Sequence, residues 1–115
     1  LHTRRTGGYV PRPLVGVWSR APYGHNGQWP DLVALSTPPA EPPRRSAPQL
    51  APHSDLHGVG PAWRALGAGE TPPSASSSRY LYDASRPGFS VDGHPFLSAL
   101  APDDRRAVIE YLKTL

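Results

Sequence analysis

The sequence has no cysteine, which excludes disulfides and thiolate metal sites within the chain. It has no methionine either, at the first position or later. It contains no stretch of positive n-region, apolar core and small-residue cleavage site that would mark a signal peptide. Long apolar runs are missing, so no segment is expected to span a membrane as a helix. Hydrophobic periodicity is scarce, and no internal repeat is visible. A chain of 115 residues with these gaps is at most one domain, with a core expected to be too thin to stand alone. Completion by a partner chain, a cofactor or the rest of a longer protein is expected, and a piece of a larger secreted protein fits the missing methionine.

What is abundant is proline, with 16 residues, and glycine, with 11, which break up the 37% of the chain that is hydrophobic. The net charge of +3 comes mostly from arginine, in the scattered pairs Arg4-Arg5, Arg44-Arg45 and Arg105-Arg106. Nucleic-acid binders cluster their cations on one face and interleave aromatics with them. That clustering is absent here, so no nucleic-acid partner is expected.

Three texts follow one another along the chain. Residues 9–35, "YVPRPLVGVWSRAPYGHNGQWPDLVAL", read as an extended lead-in, a helical turn or two around Leu14 to Ser19, and an ordered loop. Within that loop "HNG" is a turn signal, since Asn and Gly tolerate positive φ. "PDLVAL" can start a short helix, with Pro30 in its first turn and Asp31 near the positive end of the dipole. Residues 36–78 are rich in Pro, Gly, Ser and Ala and read as an irregular excursion. Inside it "PAWRALGAG" is expected to make one helical turn closed by Gly67.

Residues 79–115 firm up again. "RYLYD" suggests a short strand and "SRPGFS" a turn. A terminal helix is expected from Pro102 to Thr114, with Asp103 and Asp104 at its positive end and Lys113 in its last turn. Val108, Tyr111, Leu112 and Leu115 form its apolar stripe, widened by Ala107 and Ile109. Ala101 is a poor N-cap.

The five histidines are the main chemical resource. His53 and His57 stand at i, i+4, the spacing of zinc ligands on a helix, but Pro52 and Gly58 bracket them and no third ligand is near. Loop histidines are the preferred reading, and stoichiometric zinc is what a metal module would show. No phosphate loop, nucleophile elbow or hydrolytic triad can be assembled. His25 and His94 lie in glycine-containing loops with aromatics close by: Trp18, Tyr23 and Trp29 around the first, Phe89 and Phe96 around the second. Residue by residue, each is either a loop histidine bonded to backbone or a ligand suited to a haem iron. The first is the simpler reading.

Two patches resemble a known family. "RPLVGVWSRAPYGHNGQWPDLVAL" is similar to a phrase of the type R-x-L-x-G-(I/V)-W-x-x-A-P-Y-x-H-(N/D)-G-x-x-x-x-L in the bacterial di-haem cytochrome c peroxidase superfamily. Its tryptophan and "HNG" are nearest the rubber-oxygenase-like branch. "YDASRPGFSVDGHPFLSALAPDDRRAVIEYLKTL" resembles that branch's ending, a G-H-x-F phrase followed by a short loop and a helix. Together the patches cover about half of the chain.

The resemblance implies a fold that is mainly α with extensive irregular structure. It would be the C-terminal portion of a cytochrome c-like domain, spanning residues 1–115 and completed by another chain or a missing segment. It implies His94 as the distal axial ligand of a low-spin haem, with histidine in place of methionine lowering the potential. Arg12, Trp18, Tyr23, His25 and Phe96 are carried over as pocket residues. The Val108, Leu112 and Leu115 face of the terminal helix is expected to pack on a helix bearing the haem-attachment motif. No CxxCH exists here, so haem c must be attached outside this chain, by an upstream segment or a partner cytochrome. The resemblance therefore implies electron transfer within a di- or multi-haem assembly in the periplasm or outside the cell. Any peroxidase or oxygenase activity would belong to the whole assembly. The alternative is a haem-free accessory subunit that keeps a cytochrome-like fold.

Overall fold

The structure is a computed structural model and describes residues 7–38, 44–49, 54–72, 74, 78–92 and 94–115. His2 and His53 lie outside these residues, and with His53 goes the paired-histidine zinc reading.

A three-stranded antiparallel sheet organises the middle of the chain. Its central strand β1 is Arg45–Pro48. Strands β2, Ser54–Asp55, and β3, Gly60–Pro61, form a separate antiparallel pair. Strand β4, Trp63–Ala65, and strand β5, Tyr82–Asp83, flank β1 on its two sides. Ser46 stands opposite Ala65 in β4 and opposite Tyr82 in β5. Successive residues of a strand point to opposite faces, yet both Ser46 and Ala47 are buried. A central strand covered on both sides needs small side chains there, and "RSAP" supplies them. Arg45 reinforces the sheet: its Nε donates to Asp83 Oδ2 across the β1–β5 pairing at 3.2 Å, and its Nη1 donates to the Gly67 and Glu70 carbonyls.

The helical content is small, and this corrects the mainly-α expectation. A 3-10 turn spans Val17–Ser19, helix α1 spans Leu32–Ser36 and helix α2 spans Pro102–Leu112. The region read as irregular carries β1 to β4, and "PAWRALGAG" contributes a strand rather than a helical turn. The physical reason is that strand pairing here joins segments distant in sequence. Proline and glycine suppressed the local helical signal without stopping short strands from finding partners.

Helix α1 is held at its start by Asp31. The Asp31 Oδ1 accepts from the Ala34 N–H at 2.6 Å, the N-cap arrangement, and its Oδ2 accepts from the Trp63 indole N–H. Asp31 is buried, so both carboxylate oxygens need such donors. Strand β3 approaches closely: a Cβ on Gly60 would lie 2.5 Å from the Pro30 carbonyl oxygen. Only glycine lets the two backbones meet here.

The main core joins Tyr23, Trp29, Leu32, Ala34, Val59 and Ile109, with Val17, Leu35, Trp63 and Leu112 packed around it. Helix α2 turns Ile109 inward, with Val108 and Leu112 half-buried beside it. Its stripe therefore runs through Arg105, Val108, Ile109 and Leu112, while Tyr111, 63% exposed, points out. This stripe meets α1 of the same chain, where Arg105 Nη1 donates to the Ser36 carbonyl at 3.2 Å. Lys113 is the C-cap rather than a member of the last turn, and its ammonium pairs with Glu110. Ala101 caps α2 with no side-chain bond, as its short side chain requires.

Candidate functional site

The site grows out of the loop between Tyr23 and Trp29. These two residues form an isolated antiparallel bridge, each N–H donating to the other's carbonyl at 2.7 and 3.2 Å. Both side chains go into the core. Gly24 and Gly27 turn the chain at φ of +87° and +66°. Gly24 is also where space runs out. A Cβ there would sit 2.2 Å from Gln28 Oε1 and 2.6 Å from Trp29 Cζ3. The turn throws His25 and Asn26 outward and folds Gln28 back inside, where it is 2% exposed.

A second stretch, residues 88–92 and 94–96, closes against the first. Asn26 Nδ2 donates to the Gly88 carbonyl at 2.7 Å. The Tyr82 hydroxyl donates to the Phe89 carbonyl at 2.6 Å, and the Tyr82 and Phe89 rings lie 5.6 Å apart. Val91 is fully buried within this stretch. Asp92 follows, held by Ser90 and by Arg44 at 3.1 Å. Its carboxyl lies below the ordinary carboxylate range, mainly because the Ser90 hydroxyl donates to it and then because of Arg44. The Asp92 carbonyl lies 3.1 Å from His94 Nδ1.

The two loops assemble a patch of rings. Tyr9 stacks on His25 at 4.1 Å with planes 16° apart. His25 and His94 lie 5.6 Å apart. Trp29 meets His94 edge-on at 5.1 Å and Phe96 at 5.7 Å. His94 and Phe96 lie 5.7 Å apart. Trp29 is buried beneath, while Tyr9 (72% exposed) and Phe96 (58% exposed) open to the surface.

Of the residues expected in a pocket, His25, His94 and Phe96 come together. Tyr23 lies under them, in the core, with its hydroxyl in reach of the Val17 and Val59 carbonyls at 2.9 and 3.1 Å. Burial, and then the nearby Asp31 charge, raise its pKa above the ordinary phenol value. Arg12 sits exposed in the extended arm. Trp18 lines a different place, a groove of about 700 Å³ with Leu56, Val59, Pro61 and Lys113. Phe89 packs on Tyr82 rather than beside His94. Tyr9 and Gln28 belong to the site with no role assigned to them from the sequence, and so does Trp29, which the sequence placed only as an aromatic near His25. The bracketing of "GHNG" by Tyr23 and Trp29 was the available signal for Trp29. Nothing local marks Gln28.

The donor set at His94 suits a metal. An Nδ1–H donated to a backbone carbonyl fixes the tautomer and leaves the Nε2 lone pair for an ion. Among the described residues no group of three or more His, Cys, Asp or Glu side chains converges on one metal position. At this position the described residues thus offer a single imidazole and no complete ligand set.

Comparison with known proteins narrows this. Residues 8–45 match the family described as RoxA-like, cytochrome c-like. The matched stretch holds Arg12, Trp18, Tyr23, His25, Gln28 and Trp29 and ends before His94. Two proteins of Sinorhizobium fredii (strain NBRC 101917 / NGR234) are similar over most of the chain. The uncharacterized protein y4iJ is 32% identical, across 93% of this chain and 18% of its own length. The uncharacterized protein y4iM is 33% identical, across 93% of this chain and 27% of its own length. This chain thus spans less than a third of either relative. No solved structure matches. The match supports a relation to RoxA-like cytochromes over the first histidine loop. Among the described residues no helix is long and apolar enough to cross a membrane.

Proposed function

We propose that this chain is a haem-facing segment of a larger RoxA-like, cytochrome c-like protein, and that His94 is an axial ligand to a haem tethered elsewhere in that assembly. The observation that carries the reading is the His94 ring itself. Its Nδ1 is committed to the Asp92 carbonyl, its Nε2 is left for a ligand, and it stands in an aromatic patch open to the surface. The match of residues 8–45 supports haem as the ligand. A bound haem supplies a one-electron ferric–ferrous couple. The chain's own part is to orient one imidazole, to shield it with Trp29 and Phe96, and to keep bulk water from the ring edge. With no cysteine, the chain leaves thioether attachment and the opposite axial ligand to the CxxCH-bearing partner segment. Electron transfer to or from a second redox centre is the function this supports, in the periplasm or outside the cell, where haem c is attached. Any peroxidase or oxygenase chemistry belongs to the assembly.

The test is the visible spectrum of the purified assembly that contains this chain. Paired α and β bands of a low-spin haem are expected, lost in His94→Ala and kept in His25→Ala. Bands unchanged by His94→Ala would remove His94 from the iron. An assembly without any haem c would leave the accessory, haem-free role instead.

A further inference from the structure

Asn26 is the single asparagine of the chain, and a glycine follows it. Its side chain joins the two histidine-bearing stretches, with Nδ2 donating to the Gly88 carbonyl at 2.7 Å. Among the described residues no other hydrogen bond links 23–29 to 78–92 or 94–96. That bond needs an amide. A carbonyl oxygen only accepts, so the group across from it must carry a proton. Asparagine supplies an N–H there, and an ionised aspartate does not. The same residue is placed to lose its amide. Asparagine is thermally labile, and most so before glycine, where no side chain hinders attack by the next backbone nitrogen on the amide carbon. Asn26 is exposed, so water reaches it. Gly27 turns at φ of +66°, and its N–H is held only by the Gly24 carbonyl at 3.3 Å, longer than an ordinary N–H···O bond. This long bond and the Asn26–Gly88 bond slow the attack in the folded chain relative to a free peptide.

We propose that Asn26 is a deamidation site whose conversion to an acid releases the stretch before His94 from the loop that carries His25. The Gly27 nitrogen bonds to Asn26 Cγ, and the Cγ–Nδ2 bond breaks. The Gly27 N–H proton leaves with the amide nitrogen as ammonia, and a succinimide remains. One water then opens the ring to aspartate or isoaspartate. No electron is transferred, and water is the only reagent consumed. The carboxylate product has no proton for the Gly88 carbonyl and sets a negative charge against its oxygen. The second stretch is then left without its hydrogen bond to the first. This chemistry is independent of what His94 ligates.

The experiment is peptide mass spectrometry of the purified assembly that contains this chain, held in mildly alkaline buffer, with a synthetic peptide of residues 23–29 as the reference. The fragment that carries Asn26 is expected to exchange its amide for an acid, in aspartate and isoaspartate forms, more slowly than the free peptide does. The mass change separates this from isomerisation of Asp92, which also precedes a glycine but would keep its mass. Hydrogen exchange then reads the contact. Backbone amides of residues 88–92 and 94–96 are expected to exchange about fivefold faster in the converted fraction and in Asn26→Asp, the effect of losing one ordinary hydrogen bond. An Asn26 that stays an amide while the free peptide converts fully overturns the proposal. Exchange that keeps its starting rate while the wild type converts also overturns it, and that measurement stands even if Asn26→Asp fails to fold.

Discussion

The histidine face and the three-stranded sheet are built in opposite ways. The histidine face rests on a loop whose ends, Tyr23 and Trp29, are close in sequence and bridge directly. Its glycines, its turn and its buried aromatics are all visible within a short stretch. The sheet pairs Arg45–Pro48 with segments on both sides drawn from far along the chain, and its central residues are small. The first is fixed by local sterics and fails abruptly when one atom is added. The second is fixed by pairing and by dispersed polar ties, and it should fail gradually.

The largest effect is expected at Gly24. Gly24→Ala puts a Cβ into Gln28 and Trp29 at a positive φ, and a loss of about 3 kcal/mol is expected from the combined strain and displacement. A denaturant midpoint measures it. A neutral outcome would mean that the loop is not locally determined. Next comes Asp31→Ala, which removes the α1 cap and leaves the Trp63 indole without its acceptor. About 2 kcal/mol is expected, read in the same way. On the sheet side, Tyr82→Phe removes only the bond to the Phe89 carbonyl and should cost about 1 kcal/mol. A Tyr82→Phe loss as large as that of Gly24→Ala would erase the contrast between the regions.

The smallest effects are those of pH. Asp83 and Asp92 both titrate below the ordinary carboxylate value of 3.8, Asp83 chiefly through the Ser85 hydroxyl and Asp92 chiefly through Ser90. A depressed pKa gives stability that is present above that value and lost as pH falls through the lower folded one. A shallow decline in melting temperature is therefore expected below about pH 4, weaker in Asp92→Asn. At the other end burial raises the Tyr23 and Tyr82 pKa values above the ordinary 10.0. Stability from a raised pKa is full below pH 10 and falls as pH rises beyond it, and Tyr82→Phe should flatten part of that fall.

Much of the histidine face was legible. "HNG" announced the turn, "PDLVAL" the short helix, and the stretch from Pro102 to Thr114 the terminal one; all three are present, the last ending at Leu112. The terminal stripe was read with the wrong member: Tyr111 fits the spacing as well as Ile109 does, and only the position of α1 selects the face that turns inward. "RYLYD" announced β5, and the mainly-α expectation failed on β1 to β4. These strands of two to four residues leave no alternation long enough to detect. Trp18 shows the same limit at the site, since its neighbours in sequence suggested the histidine pocket while the fold gives it to another groove.

What the amino-acid order settled by itself was the set of local conformations: where glycine turns the chain, where proline starts a helix, and the absence of any thiol with which to hold a cofactor. The tertiary structure alone decided which rings share a surface. A turn depends on the torsions of a few adjacent residues, whereas the His25, Trp29 and His94 rings meet only because the chain returns to the first loop, as where Asn26 Nδ2 donates to the Gly88 carbonyl, and no spacing rule records that.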